Sequence, residues 1–382
     1  MTPACQLLEP KIQPFKTYLC KIEIMEEMNQ SKVSDSPKRV FSLDILRVLA
    51  CFLVMFQHSS EFFYIGKNGM VANSNDAFDI GILSSFDRVC VPLFVMLSGY
   101  LLLPMKVHTS AFLKKHIIRV AGPFLFWCMG YAVYYVFYRG DSIGLMFGHI
   151  LSIPINFGTD VGHLWYIYMV LGLYLLIPVL SPWLQKCSQK ELQGYLGIWL
   201  FTTFIPYLHQ IFPQLLGECY WNPTPMMYYF TGFAGYLILG YYFKRYGAFS
   251  TVKSFIITLI GYILTAGIFC LRADKVVNVA DLELSWSFCS INVVMMTAGA
   301  FSFIRSITWK WNTSHLIVDL SKKTYGMFLA HIMVLNFYHD LFAGLSLSLW
   351  IEIPMLALCT FVTIYLIISL MSFLPKSHYW VG

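Results

Sequence analysis

Charged side chains within a long apolar run constrain this chain more than any other feature. The run begins near Arg39 and ends near His58, and it contains Asp44 and Arg47 among residues that suit the interior of a lipid bilayer. An ionisable group near the bilayer centre costs at least ~2.5–3.5 kcal/mol, so such groups face protein or water and serve a function by default. The run therefore predicts a transmembrane helix with a polar face that the protein uses.

The rest of the chain is equally unsuited to a soluble fold. Of its 382 residues, 58% are hydrophobic and 12% are charged, whereas about a quarter of residues are charged in soluble domains. The composition predicts an all-α polytopic membrane protein that lies in the lipid bilayer. No nucleic-acid partner is expected, because the net charge of +6 follows the distribution of Lys and Arg among the loops.

Apolar stretches between charged or Pro/Gly-rich segments predict about ten transmembrane helices. Their expected ranges are 41–64, 86–104, 117–138, 163–181, 194–212, 226–243, 254–271, 286–304, 324–341 and 348–373. Of the 26 Lys and Arg residues, 21 fall at one side of these helices, which leaves Lys67, Arg88, Arg139, Arg272 and Lys275 on the other. Because cytoplasmic loops carry the excess of Lys and Arg, both termini are expected in the cytoplasm.

This organisation predicts three parts. They are a polar cytoplasmic lead (1–38), a ten-helix membrane domain (39–375) and a short cytoplasmic tail (376–382). Translation from Met25 or Met28 instead of Met1 stays open. The segment 143–160 is less apolar than a span, so it is expected at the outer surface or as a re-entrant loop, and a lid is one interpretation. The ten cysteines form no Cys-x-x-Cys pair, and no metal site is expected.

The first predicted helix places its polar groups on one face. Arg47 and His58 are about 16 Å apart along the axis but only about 20° apart in rotation. Asp44 is spaced to pair with Arg47, and Glu61 is spaced to orient the His58 imidazole. This face predicts a solvated passage from Arg47 to His58, although a helix-anchoring ion pair and an interfacial histidine are the simpler alternative.

Four motifs in this order resemble the acyltransferase-3 family of integral membrane O-acyltransferases. They are Arg39, Leu43, Asp44, Leu46, Arg47 and His58 in the first helix, then residues 86–102, 163–167 and 324–331. The resemblance runs from about residue 39 to residue 373 and is greatest to compact members such as the enterobacterial common antigen O-acetyltransferase. It implies a multi-pass enzyme of the bacterial inner (plasma) membrane that takes an acyl group, usually acetyl from cytoplasmic acetyl-CoA. The acceptor is a hydroxyl of a glycan or a lipid-linked sugar.

The resemblance implies that His58 is catalytic and that Arg47 is the arginine paired with it in the family pattern. Transfer to a hydroxyl needs a base and donors that stabilise an oxyanion, and His58 is the best base, with Glu61 holding its tautomer. Direct transfer and a covalent acyl-imidazole are both open. Arg88 is a candidate donor or anion clamp, or else an interfacial anchor paired with Asp87.

Binding of the donor is expected on the cytoplasmic side. The candidate contacts for acetyl-CoA are Lys114, Lys115, His116 and Arg119 at the head of the third predicted helix, and Ser98 in the second. Basic residues suit phosphates, but any inner loop is basic under the positive-inside rule. His116 stands where the family has the first arginine of an R-x-x-R pair. Ser98 and Gly99 leave room for a thin cofactor arm or, alternatively, allow close helix packing.

Binding of the acceptor is expected on the outer side. His163 and Trp165 at the outer end of the fourth predicted helix, together with His331 in the ninth, are the candidates. Tyr166 is interpreted as part of the aromatic belt at the membrane interface. The alternative function is a transporter or exporter of a glycan or an acylated small molecule, but no paired broken helices in matching halves support it.

Overall fold

The computed structural model describes residues 39–213, 217–219, 222–225, 227, 230–307 and 314–382. The predicted lead 1–38 lies outside the described residues. The longest helices, which match predicted spans, are α1 (Phe41–Tyr64), α4 (Thr109–Tyr138), α7 (Trp165–Lys186), α11 (Thr251–Arg272), α14 (His315–Phe342) and α15 (Leu349–Met371). The fold is an all-α helical bundle, as predicted.

Shorter helices complete the bundle. They are α2 (Ser74–Ser84), α3 (Cys90–Leu102), α5 (Ile143–Ser152), α6 (Phe157–Asp160), α8 (Gln189–Thr202), α9 (Ile205–Ile211), α10 (Ala234–Tyr246), α12 (Val279–Leu282) and α13 (Ile291–Ser306). Two short antiparallel strands, β1 (Gly217–Cys219) and β2 (Asn222–Pro225), pair in the loop before α10. Single turns of 3-10 helix lie at Lys67–Gly69, Ser85–Val89, Glu283–Trp286 and Ser377–Tyr379.

Within the described ranges, six stretches are long and apolar enough to cross a membrane. A seventh is the pair Val279–Trp286 and Ile291–Ser306, if these two helices, bent by 42°, form one span. The polytopic membrane fold is therefore confirmed, while the number of ten spans and the side of the termini stay predictions.

Several predicted spans begin or end differently in the structure. For example, α4 begins at Thr109 and α14 at His315, ahead of the predicted starts at 117 and 324. Two further spans differ in how they are built. The span predicted at 86–104 is preceded by α2 and joined to it by the 3-10 turn Ser85–Val89, so that the helical stretch starts at Ser74. The span predicted at 194–212 is divided into α8 and α9. Pro206 lies in the first turn of α9 and has no N–H with which to continue the helical hydrogen bonds of α8.

Local side-chain chemistry sets where helices start. At α8 the Ser188 hydroxyl accepts a hydrogen bond from the Glu191 backbone N–H, and the Glu191 carboxylate accepts one from the Ser188 backbone N–H. This capping box satisfies two N–H groups that the first helical turn leaves unpaired. The hydrogen bonds from Ser188 also hold the pKa of the Glu191 carboxyl below its usual value.

Two glycines let α3 and α10 pack backbone against backbone. A Cβ atom at Gly99 would lie 1.8 Å from the carbonyl oxygen of Leu237, and one at Gly240 would lie 2.1 Å from that of Met96. The side of α3 at Gly99 is therefore filled by α10. This contact favours close packing over a cofactor arm as the explanation for Ser98 and Gly99, and the Ser98 hydroxyl donates to the Phe94 carbonyl (2.9 Å).

We expect Gly99→Ala to destabilise the protein by about 1–3 kcal/mol or more, because neither backbone can yield without moving its helix. Thermal unfolding in detergent measures this loss as a lower midpoint. The matched control is Gly172→Ala, since Gly172 lies within α7 with no neighbouring atom within 4 Å of an added Cβ. Equal midpoints for the two variants would contradict the close contact of α3 and α10.

Candidate active site

The polar face of α1 packs against α14 at both of its ends. At the end near Arg47, which we call the Arg47 end, the guanidinium Nη1 donates to Asp44 Oδ1 (3.4 Å) and to Ser321 Oγ of α14 (2.9 Å). The Ser321 hydroxyl in turn donates to Asp44 Oδ1 (2.6 Å). The spacing of Asp44 and Arg47 does produce a pair, and the buried carboxylate gains a second partner that the sequence pattern does not reveal.

The opposite end of α1, which we call the His58 end, carries an imidazole and a carboxylate in contact. His58 Nδ1 lies 2.7 Å from Glu61 Oε2. An ionised carboxylate only accepts hydrogen bonds, so Nδ1 carries the proton and donates. In the neutral ring the other nitrogen, Nε2, then keeps its lone pair, which is the form a general base needs.

Two further histidines surround His58. The ring centroid of His58 lies 6.1 Å from that of His163 and 5.3 Å from that of His331, and the latter two are 4.6 Å apart. His163 precedes α7 and His331 lies in the middle of α14, so three separate segments build this histidine cluster. No group of three or more His, Cys, Asp or Glu within the described ranges is arranged to hold a metal ion.

Hydrogen bonds fix the tautomers of both added histidines. His163 Nε2 donates to the Leu329 carbonyl (3.1 Å), and His331 Nδ1 donates to the Phe328 carbonyl (2.7 Å). His163 Nδ1 and His331 Nε2 are buried and have no hydrogen-bond partner among the residues that the structure describes. Since the N–H of each neutral ring is already used, these two nitrogens are bare acceptors.

A small cavity adjoins His58 and His163. It offers about 20 Å³ to the centre of a water molecule, which is room for a single water or a group of similar size. Its walls are formed by Val54, Gln57, His58, Val91, His163, Trp165, Tyr166, Phe288 and Phe328. Trp165 is a predicted site residue that the structure brings to this cavity, and its indole N–H and the Tyr166 hydroxyl are both donors.

Gln57 and Tyr166 are cavity residues that the sequence analysis missed. Gln57 Oε1 accepts from the Cys90 thiol (3.2 Å). The interpretation of Tyr166 as an interfacial belt residue is wrong, because its ring packs inward against Phe94 (6.1 Å) and Phe328 (5.3 Å). A glutamine one position before the histidine was the only available signal for Gln57, and nothing in its spacing separates it from a packing residue.

Arg88 lies in a buried charged network behind Glu61. Its Nε is 3.1 Å from Asp87 Oδ1 and both side chains are almost fully buried. The guanidinium carbon lies 3.8 Å from the centroid of the Trp286 ring, a cation–π contact. Arg88 also interacts electrostatically with Glu61. Arg88 is thus paired with Asp87, as in the anchor alternative, but it is buried inside the bundle.

The predicted donor contacts lie at the other end of the bundle. Lys114, Lys115 and Arg119 are exposed on the first turns of α4. His116 is half-buried, with its ring 4.4 Å from that of Phe112 and 5.6 Å from that of Tyr174. Tyr174 on α7 interacts electrostatically with both Arg119 and Arg47, so the structure brings these two arginines to one locality.

An open passage between the two ends, which the sequence predicts, is not what the structure shows at His58. The cavity there has room for about one water molecule. On α1, the positions between the ends that face the bundle are filled by packed side chains, with Ala50, Cys51, Val54 and Met55 all buried. The polar residues are separated along α1 by this apolar packing.

The comparisons with known proteins point to one family. The family model Acyl_transf_3, described as an acyltransferase domain, matches residues 40–372. No curated protein and no solved structure matches the chain. The matched range includes the histidine cluster, the Arg88 network and the basic residues of α4.

Proposed function

We propose that this chain, which belongs to the acyltransferase-3 family of multi-pass membrane acyltransferases, transfers an acetyl group from cytoplasmic acetyl-CoA to a glycan hydroxyl. The acceptor is a cell-envelope or exported glycan, or a lipid-linked sugar, and the enzyme acts in the bacterial plasma membrane. The observation that carries this proposal is the His58–Glu61 pair beside a cavity inside the bundle. A half-buried imidazole with one nitrogen held by a carboxylate and the other free is arranged to take a proton from a hydroxyl.

His58 then acts as the general base. The acceptor hydroxyl oxygen attacks the thioester carbon while its proton passes to His58 Nε2. The resulting oxyanion accepts hydrogen bonds from the Trp165 indole N–H and the Tyr166 hydroxyl, the donors in the cavity wall. The C–S bond breaks, and the CoA thiolate takes up the proton that His58 holds. A route through an acyl-imidazole on Nε2 uses the same residues.

Glu61 and Arg88 position the base. Glu61 keeps the proton of His58 on Nδ1, and its charge also stabilises the imidazolium that forms during transfer. Arg88 interacts with Glu61 from the far side and is itself held by Asp87 and Trp286. Glu61, Arg88 and Asp87 together fix the rotamer of the imidazole. A fixed rotamer matters because His58 Nε2 must lie within hydrogen-bond distance of the hydroxyl whose proton it takes.

The size of the cavity supports acetyl as the acyl group. A space of about 20 Å³ for a water-sized centre accepts a methyl group but not a longer chain without movement of its apolar walls. Those walls include Val91 and Phe288. Transport of a whole glycan would require a much larger cavity, because ligand pockets are about 300–1,000 Å³.

The donor is proposed to bind at the Arg47 end. Lys114, Lys115 and Arg119 offer charge for the CoA phosphates, and His116 adds a half-buried ring beside them. Tyr174 interacts electrostatically with both Arg119 and Arg47, so Arg47 lies close to this basic group. Hydrogen bonds to Asp44 and Ser321 hold Arg47 in place. Because the interior is packed between the two ends, the pantetheine arm must separate helices in order to bring the acetyl group to His58.

The test is acyl transfer by the purified protein in liposomes, supplied with acetyl-, propionyl- or butyryl-CoA and with methyl glycosides as acceptors. We expect CoA release and acylated glycoside with acetyl-CoA, and a kcat/KM at least tenfold lower with butyryl-CoA, because overfilling a packed wall costs about 1–3 kcal/mol. Val91→Ala enlarges the cavity and is expected to reduce the ratio of kcat/KM for acetyl-CoA to kcat/KM for butyryl-CoA.

Val362→Ala is the matched control, because Val362 is 48% exposed on α15 and lies outside the cavity wall. It should leave the ratio unchanged. Equal use of acetyl- and butyryl-CoA by the unmodified protein would contradict the acetyl proposal. Glycoside movement across the membrane without CoA release would contradict the transferase and favour transport.

A further inference from the structure

A half-buried arginine outside the candidate active site lies in the last turn of α13, at the Arg47 end of the bundle. It is Arg305, and its guanidinium is held by two hydroxyls from other helices. Nη1 donates to Ser42 Oγ of α1 (3.0 Å), and Nη2 donates to the Tyr100 hydroxyl of α3 (2.9 Å). Three helices therefore fix the position of this one guanidinium.

The charge of Arg305 has no carboxylate partner within the part of the chain that the structure describes. Arg47 pairs with Asp44, and Arg88 pairs with Asp87, whereas both partners of Arg305 are neutral hydroxyls. An arginine side chain has five N–H donors, and these two contacts occupy only two of them. Arg305 thus keeps both an unbalanced charge and spare donors.

A second cation lies beside the same tyrosine. The guanidinium carbon of Arg305 is 5.0 Å from the centroid of the Tyr100 ring, and Lys244 Nζ of α10 is 6.0 Å from it. Lys244 Nζ donates to the Leu103 carbonyl (2.9 Å). Partial burial and the nearby charge of Lys106 hold the pKa of the Lys244 ammonium below its usual value. Positive charge is therefore concentrated here at a cost that an anion would relieve.

The two hydroxyls beside Arg305 are available as further donors. Because each oxygen accepts a hydrogen bond from the guanidinium, its own hydrogen points elsewhere. Neither hydroxyl hydrogen of Ser42 and Tyr100 has an acceptor among the residues that the structure describes, and Ser42 is buried. Two cations and two hydroxyl donors with no carboxylate are a composition that suits an anion.

We propose that Arg305, Ser42 and Tyr100, with the charge of Lys244 beside them, form a phosphate-binding site, which we call the Arg305 site. A phosphate has several strong acceptor oxygens, and the planar guanidinium matches its geometry. The phosphate belongs either to the nucleotide end of CoA, in which case the inference rests on the proposed function, or to the headgroup of an anionic lipid.

The expected depth of the site suits both sources. The 24 residues of α1 extend about 36 Å, which exceeds the roughly 30 Å of the hydrocarbon core. Ser42 in the first turn of α1 is therefore expected among the lipid headgroups. The same end of the bundle carries Arg47 and the basic residues of α4, where the donor is proposed to bind.

Two simpler explanations exist for a basic residue at this place. Cytoplasmic loops carry an excess of Lys and Arg, and a cation in the last turn of a helix interacts favourably with the helix dipole. Arg305, however, is half-buried within a helix, and its amino groups donate to α1 and α3. Lys186, exposed in the last turn of α7, represents the ordinary case and provides the control.

The first experiment measures binding to the full chain in nanodiscs of neutral phosphatidylcholine by isothermal titration calorimetry. The probes are 3′,5′-ADP, a fragment of the nucleotide end of CoA, and adenosine, which has no phosphate. If the phosphate is that of CoA, we expect 3′,5′-ADP to bind and adenosine not to bind. Arg305→Ala should then weaken binding of 3′,5′-ADP at least tenfold, because charge-assisted hydrogen bonds are lost. Lys186→Ala should change it less than twofold.

The second experiment tests the lipid source by native mass spectrometry of the full chain, released from micelles that contain phosphatidylcholine and phosphatidylglycerol. If the phosphate is that of a headgroup, Arg305→Ala should retain at least fivefold less phosphatidylglycerol than Lys186→Ala. A loss specific to Arg305→Ala in either experiment supports the site and identifies its ligand. Equal results for Arg305→Ala and Lys186→Ala in both experiments would overturn it.

Tyr100→Phe replaces Arg305→Ala if the latter does not fold. It keeps the ring and removes one hydroxyl donor, so we expect at least threefold weaker binding of whichever probe the unmodified protein binds. Unchanged binding of both probes would then overturn the site. CoA release from acetyl-CoA, measured on the same samples, is a separate outcome: phosphate binding that depends on Arg305 without CoA release would leave the site in place and contradict the transferase.

Discussion

Replacing His58 by alanine is expected to lower the kcat/KM for acyl transfer by about 10²–10⁴-fold, the range that a general base contributes. His58 is the histidine of the cluster that lines the cavity and whose Nδ1 is held by a carboxylate that orients the ring. The measurement is CoA release from acetyl-CoA in liposomes at saturating glycoside. Glu61→Gln should give a smaller loss, because it removes the orienting charge while the base remains.

A second His–carboxylate pair provides the control for this prediction. His149 Nε2 lies 3.2 Å from Asp141 Oδ2, and neither residue lines the cavity. His149→Ala is therefore expected to retain the activity of the unmodified protein. Activity of His58→Ala within tenfold of that of His149→Ala would remove His58 from the mechanism.

Arg88→Met is expected to destabilise the fold by about 3–5 kcal/mol, because it leaves the buried Asp87 carboxylate without its partner. Both side chains of this pair are at most 4% exposed. Denaturant unfolding in detergent would measure the loss. Arg139→Met is the matched control, since Arg139 is exposed and its guanidinium carbon also lies over an aromatic ring, 3.6 Å from the Tyr135 centroid. It should cost no more than about 1 kcal/mol.

The double variant Asp87→Leu/Arg88→Met distinguishes an ion pair from simple packing. Replacing both partners of a buried ion pair by apolar groups is often neutral or stabilising, so the double variant should recover most of the stability that Arg88→Met loses. If the losses in unfolding free energy from the two substitutions instead add, each side chain contributes through its own packing and the ion pair adds no stability of its own.

Local features of the site could be predicted from the sequence because helical spacing alone determines them. The Asp44–Arg47 and His58–Glu61 pairs are both separated by three residues, and the helix bounds Phe41–Tyr64 equal the predicted range 41–64. Such contacts depend on the geometry of one helix. No other part of the chain needs to be known to infer them.

Contacts between helices that are far apart in the sequence could not be predicted from the sequence pattern. His163 and His331 were identified as candidates, but their convergence on His58 depends on how α14 packs against α1 and on where the chain before α7 lies. The same holds for Ser321, which completes the pair at Arg47, and for Tyr166, whose position near a predicted interface suggested a belt. A polar face on one helix indicates that it is turned inward, but not which side chains of its neighbours meet it.

The passage predicted between Arg47 and His58 stays a prediction, for a related reason. Inward-facing polar residues at two heights of a helix predict that both are shielded from lipid, and this holds for Arg47 and His58. They do not determine how much space neighbouring helices leave between those heights. In the structure Ala50, Cys51 and Val54 fill that interval.

The restricted room beside His58 also bears on a competing reaction. A thioester placed next to an activated imidazole is open to hydrolysis, and water at bulk concentration would outnumber any sugar. On the proposed function, an acetyl group that enters a space for about one solvent molecule displaces water, its rival nucleophile. Protection of the thioester from hydrolysis would then follow from exclusion, without any residue dedicated to recognising water.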